Sequence, residues 1–193
     1  ITGEEYYLNH SLSWLKEVND HFWDEDGGSY FFSPEDANHL IARTRNAFDN
    51  ATPAGNGTMI ENLATLYYLT GNEIYRDQAD LIVDVFARKP STEYINMTSI
   101  LNGFERLTKT IQVAIIGEPD APETGMMQSI ISLTGHIDLV LSVIQPGRKL
   151  PSKHPATGKA QIDSLTTAYV CIGHVCGPPI TAPGELKRAL AEA

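Results

Sequence analysis

Apolar side chains recur from Glu4 to Phe22 at Leu8, Leu12, Leu15, Val18 and Phe22, with charged residues between them. That spacing predicts one amphipathic helix. Trp23-Asp24-Glu25-Asp26-Gly27-Gly28 ends it: the glycine pair stops the helix, and Tyr30-Phe31-Phe32 reads as a short extended piece. Ser33-Pro34-Glu35-Asp36 has the form of an N-cap with proline at the first helical position, with room only for a short turn before Arg43. A polar loop, Phe48 to Thr58, then delivers an apolar helix. Pro53 and Gly55 shape the turn, Asn56 is the expected N-cap, and Ile60, Leu63, Leu66 and Tyr67 form the buried face. Thr70-Gly71-Asn72 makes a tight reversal. Glu73 to Ala87 is a second helix, with Ile74, Tyr75, Ala79, Ile82, Val83 and Phe86 on one side, so the two form an antiparallel hairpin. After a break at Pro90, Tyr94 to Leu107 resumes the helical period through Met97, Ile100, Leu101, Phe104 and Leu107.

Near Thr110 the period changes. Ile111 to Gly117 is a short β-rich run consistent with a buried strand. Asp120 with Glu123 has capping-box form, Pro122 suits a first turn, and Met127, Ile130, Ile131 and Leu133 predict a short helix. Asp138 to Ile144 reads as another strand, so strand, helix and strand imply a parallel pair. Gln145 to Lys159 is loop, Thr166 to Ile172 a third strand, and Glu185 to Ala191 a terminal helix. The reading is mainly α: helical hairpins over residues 1–109, then a small α/β unit over 110–193.

Composition narrows the partners. The net charge of −10 and the short basic clusters, such as Arg43-Thr44-Arg45, argue against a nucleic-acid face. No apolar run approaches the ~20 residues of a membrane-spanning helix. No secretory leader opens the chain, and Ile1-Thr2-Gly3-Glu4-Glu5 reads as the interior of a longer sequence. Cys171 and Cys176 do not make a disulfide framework. Together these features predict a reducing, cytoplasmic setting. The glycosylation-type triplets at Asn50, Asn56 and Asn96 are read as chance matches.

Four stretches in register resemble one family. They are Asp26-Gly27-Gly28-Ser29-Tyr30-Phe31; Phe48 to Asn56; Ile115 to Thr124; and Ala168-Tyr169-Val170-Cys171 leading to Cys176-Gly177-Pro178-Pro179-Ile180-Thr181. Their order and spacing are similar to the C-terminal part of the YyaL-type, spermatogenesis-associated thioredoxin-like proteins, over nearly the whole chain. The resemblance implies a C-terminal piece of a protein that joins a thioredoxin-like domain to an (α/α)6 barrel, like those of N-acylglucosamine 2-epimerases and six-hairpin glycosidases. The chain would then carry only part of the toroid, and its uncovered apolar faces would favour self-association or contact with the missing N-terminal part. It departs from the family pattern at Ala54, where serine is usual, and at Gly57-Thr58. The resemblance implies a fold more than a reaction.

A small carbohydrate is the ligand class this fold suggests. Glycoside chemistry needs two carboxyl groups facing a sugar, and Asp49, Glu61 and Asp26 are the catalytic candidates, with Asp24 close by. Trp23 and Tyr30 offer rings for stacking, Arg43 and Arg45 offer paired donors, and Asn56 sits at the mouth. Against this stands the structural reading, in which Asp49 braces the loop by accepting backbone amides and Asp24 and Asp26 are solvated acids at a helix end. Epimerisation would use histidine, and only His21 and His39 lie near the mouth. Cys171-Ile172-Gly173-His174-Val175-Cys176 offers three ligands without a second pair, and its spacing is not that of a Cys-x-x-Cys redox motif, so a structural role is expected and no metal or cofactor is assigned. Two readings follow: a structural and interaction module, or part of a carbohydrate-active enzyme with its pocket at Asp49 to Asn56.

Overall fold

A computed structural model describes residues 5–37, 40–87, 91–173 and 175–193. The architecture is mixed α/β, with six α-helices among the described residues, and the chain divides into two compact units. Among the described residues, one comprises 5–65 and 73–107, and the other 66–72 and 108–193.

In the first unit, α1 (Glu5–Phe22) follows the predicted helix, but its apolar stripe is only half covered. Leu15 is buried, Leu8, Leu12, Val18 and Phe22 are intermediate, and Trp14 is exposed. The glycine pair that ends α1 forms the turn of a hairpin, β1 (Trp23–Asp24) pairing antiparallel with β2 (Ser29–Tyr30). Two-residue strands carry no period, so only the extended half was legible. Gly28 takes φ +63° there, a left-handed conformation that suits glycine. Ser33 to Asp36 forms bends and a turn rather than a capped helix.

Helix α2 (Gly55–Thr70) buries Ile60, Leu63 and Ala64 completely. It starts one residue before Asn56, so the expected N-cap lies inside the first turn. Helix α3 (Glu73–Ala87) buries Ala79, Ile82 and Phe86. The single helix expected over Tyr94 to Leu107 is two elements, a 3-10 segment (Ser91–Asn96) and α4 (Thr98–Lys109), separated at the buried Met97. Apolar spacing continues through the break, which concealed it. Helices α2 and α4 meet closely at glycines. A Cβ on Gly57 would lie 2.1 Å from the Ser99 hydroxyl, and one on Gly103 would lie 2.8 Å from the Ile60 Cβ.

The second unit is built on a four-stranded sheet of order β4-β3-β5-β6. β3 (Ile111–Ile116) pairs parallel with β4 (Leu139–Ile144), as the strand–helix–strand pattern predicts. β5 (Thr167–Ile172) runs antiparallel to β3, and the short β6 (Val175–Cys176) antiparallel to β5. Every β3 residue is buried because both faces are covered. Ile111, Val113 and Ile115 join Met127, Ile131, Leu186 and Leu190 of α5 (Pro122–Ser132) and α6 (Pro183–Ala191). Ala114 and Ile116 pack with Ile144 and Ala156. Asp120 does not cap α5: the N-cap is Ala121, with no side-chain cap hydrogen bond.

The cysteines are a further correction. Cys171 and Cys176 are cross-strand partners on β5 and β6 and form a disulfide. Antiparallel register brings them together, and spacing alone does not reveal that register. The cysteine pair therefore no longer supports the expected reducing compartment.

Candidate functional site

The loop from Phe48 into α2 folds around two side chains that act as backbone substitutes. The Asp49 carboxylate reaches the start of α4. Its Oδ2 accepts the Ser99 amide at 2.7 Å, and its Oδ1 accepts the Ser99 hydroxyl at 2.5 Å and the Ala54 amide at 2.8 Å. The carboxylate thus supplies an acceptor to the unsatisfied amides of one helix, where negative charge is favoured, and pins the approach to another. Burial by itself raises the Asp49 carboxyl. Hydrogen bonds from the Ser99 hydroxyl and from the amides of Ala54, Ser99 and Thr98 outweigh it and hold the group below its ordinary value.

Asn56 behaves like a peptide group laid against β2. Its Oδ1 accepts the Tyr30 amide at 2.8 Å, and its Nδ2 donates to the Tyr30 carbonyl at 3.0 Å and the Asn46 carbonyl at 2.9 Å. The same amide chemistry that makes asparagine a good cap serves here as a strand partner. The Tyr30 ring is buried. Its hydroxyl donates to Asn19 at 2.5 Å and accepts from Gln78 at 3.0 Å, and burial pushes the phenol pKa up. Trp23 packs edge-on to Tyr30, with ring centroids 5.0 Å apart.

The remaining candidates also have internal partners or lie elsewhere. Arg43 donates to the carbonyls of His21 and Ser33 at 2.9 to 3.1 Å and lies 4.0 Å over the Phe31 ring. Arg45 pairs with Asp24 at 3.1 Å. Asp26 is exposed on the β1–β2 turn, and Glu61 is half-buried on α2. Neither lines the groove described below. His21 faces Glu17 and Glu35 at 3.8 and 3.7 Å. His39 and His174 lie outside the described residues. Sequence reasoning missed Ser99, Asn46, Gln78 and Asn19, the partners that complete these networks. Nothing local to them signals contacts that span 10 to 50 residues.

Beside this polar scaffold runs a groove of about 550 Å³ within the first unit. Its walls are Phe22, Phe31, Phe32, Phe48, Pro53 and Met59, with Asn50, Thr52 and Thr58 among the polar lining residues. Phe32 is 76% exposed. Among the described residues, no three His, Cys, Asp or Glu side chains converge as metal ligands, and no helix is long and apolar enough to cross a membrane.

Rat spermatogenesis-associated protein 20 is 26% identical over 197 residues, covering 96% of this chain and 25% of its own length. The chain is similar to spermatogenesis-associated protein 20 over nearly all of its length. The human protein of that name is 27% identical over 188 residues, covering 93% of this chain and 24% of its own length. An uncharacterized protein of Caenorhabditis elegans is 23% identical over 187 residues. No protein-family model matches the chain. The chain spans about a quarter of the length of the curated relatives it matches.

Proposed function

We propose that this chain is a structural and interaction module, and that the groove beside Phe48 to Met59 is an apolar docking face for polypeptide. One observation carries the reading. The polar atoms at the mouth, on Asp49, Asn56, Tyr30 and Arg43, are engaged in internal hydrogen bonds, while the adjacent wall is aromatic and aliphatic. Such a site holds its own shape and offers a partner apolar area. The length of the relatives supports an occupant drawn from the rest of a longer chain, and helices α1 to α4 are then part of an (α/α)6-type toroid whose neighbouring hairpin covers the groove. In isolation a second copy substitutes, because a large exposed apolar patch favours association.

A carbohydrate-active reading has one observation in its favour: an exposed Phe32 ring beside the amide and hydroxyls of Asn50, Thr52 and Thr58, in a groove of ligand size. Among the described residues, no carboxylate lines that groove. Sedimentation velocity over a range of concentrations separates the readings. The docking reading predicts reversible association that is weakened by Phe32→Ser and by Phe48→Ser. A strictly monomeric chain whose sedimentation neither variant changes counts against it.

A further inference from the structure

The second unit carries a cavity that the docking reading does not use. Strands β3 and β4 are parallel and end together, Ile116 opposite Ile144. Ligands of open α/β sheets bind outside the carboxyl ends of the strands. At this edge the chain leaves a cavity of about 320 Å³, lined by the strand-end residues Ile116 and Ile144 and by Gln145, Gly147, Arg148, Gly158 and Lys159 from the following loop.

The charge along the chain is segregated at this point. The sequence carries 24 acidic residues in 193, yet residues 139–162 contain none. The same stretch holds Arg148, Lys149, Lys153 and Lys159. A net charge of −10 makes an acid-free basic segment folded over a strand-end cavity an electrostatic exception. Lys159 is held in place: its ammonium donates to the Pro155 carbonyl at 2.6 Å and lies 5.7 Å over the Tyr169 ring. Burial lowers its pKa, and among the described residues no carboxylate is paired with it. Turns brace the loop, His154 to Pro151 at 2.9 Å and Thr157 to His154 at 2.8 Å between backbone groups, with the Thr157 hydroxyl donating to the Pro151 carbonyl at 2.7 Å. Gly147 and Gly158 take φ +78° and +80° and have no atom within 4 Å of a would-be Cβ, so bare backbone faces open space at both. The acids of the β3–α5 connection, Glu118, Asp120 and Glu123, are exposed and line no part of the cavity. Glu118 accepts from Gln145 at 3.4 Å.

We propose that this cavity binds the oxyanion head, phosphate or carboxylate, of a small organic molecule, with Lys159 and Arg148 supplying the positive charge and the glycine turns allowing close approach. Its volume suits a small molecule rather than a polymer, and a compact ammonium beside a guanidinium suits an oxyanion.

The test is a titration of the 15N-labelled chain with inorganic phosphate and, separately, with succinate, each against sodium chloride at matched ionic strength. Saturable shifts of the Gly147, Gly158 and Lys159 amides are expected with at least one of the two anions. Tighter binding of phosphate assigns a phosphate head, and tighter binding of succinate a carboxylate head. Lys159→Gln and Arg148→Gln should each weaken binding about tenfold, the effect of losing one charge-assisted contact. Lys187→Gln, on the exposed face of α6, should change nothing. Either of two results overturns the proposal: shifts no larger than those caused by chloride, or equal affinity in both cavity variants when their dispersed spectra show them folded.

Discussion

Replacing Asp49 with asparagine separates a brace from a catalytic group. In the native loop one carboxylate oxygen takes two donors and the other takes the Ser99 amide. Asparagine keeps a single acceptor. Set at the Oδ1 position, it retains the Ala54 and Ser99 hydroxyl contacts and turns its NH2 toward the Ser99 amide, donor against donor. One charge-assisted hydrogen bond, worth about 1.5–3 kcal/mol, is lost, and the other two lose their charge. Because Asp49 is partly exposed, water replaces some of this, and a net loss of about 2 kcal/mol is expected. In a chain of this size that lowers the melting temperature by roughly 4–8 °C. The pH dependence has a definite sign. The native carboxyl pKa lies below its unfolded value, so the stabilisation is complete above the unfolded value of about 3.9 and disappears as pH falls through the native one. Calorimetry of both proteins from acid to neutral pH should show a constant gap at pH 5 to 7 that closes in acid. An Asp49→Asn protein as stable as the parent at pH 7 refutes the brace and returns Asp49 to the catalytic candidates.

Gly57→Ala brings a methyl group to within 2.6 Å of the Ser99 carbonyl carbon and 2.1 Å of its hydroxyl. It should destabilise by about 1–3 kcal/mol despite better helix propensity. Gly55→Ala in the same helix meets nothing within 4 Å and should be neutral or stabilising, so urea denaturation of the pair reads the close approach directly. His154 is buried, its Nε2 3.0 Å from the Leu69 carbonyl and its Nδ1 accepting the Ala156 amide at 3.0 Å. Burial, with lesser contributions from Arg148 and Lys159, lowers its pKa. Its contribution is therefore present above pH ~6.5 and lost as pH falls below that value. His154→Gln should flatten the urea midpoint between pH 5 and 7, and parallel pH curves for the two proteins would rule this out. The Cys171–Cys176 disulfide closes a loop of only a few residues, so reduction should lower stability by about 2 kcal/mol on the loop-entropy scale, measured as a melting shift with and without a dithiol reductant.

How far the sequence could be read depended on whether the information was local. α1, α2, α3, β3 and β4 announce themselves through unbroken periods several turns or residues long. Strands β1, β2 and β6 are two residues each and have no period to detect. The break at Met97 is hidden because Tyr94, Met97 and Ile100 keep helical spacing across a change of helix type. Asn56 illustrates the limit at the site: its polarity and place in the chain were legible, but a primary amide serves a helix end or a strand equally well. The partnership of Asp49 with Ser99 spans 50 residues and follows from the packing of α4, which no local pattern encodes. The disulfide depends on strand register in the same way.

Asp49, Asn56, Tyr30 and Arg43 are engaged in internal hydrogen bonds, and we propose that the groove beside them takes apolar polypeptide rather than a sugar. The most direct measurement is the 1H–15N spectrum of residues 48–59, titrated in parallel with neutral sugars, sugar acids and the apolar fluorophore anilinonaphthalene sulfonate. The account predicts that the apolar probe shifts these resonances, that Phe48→Ser weakens the effect, and that the sugars leave them in place to millimolar concentration. Saturable shifts with a sugar, unaffected by the apolar probe, would contradict it.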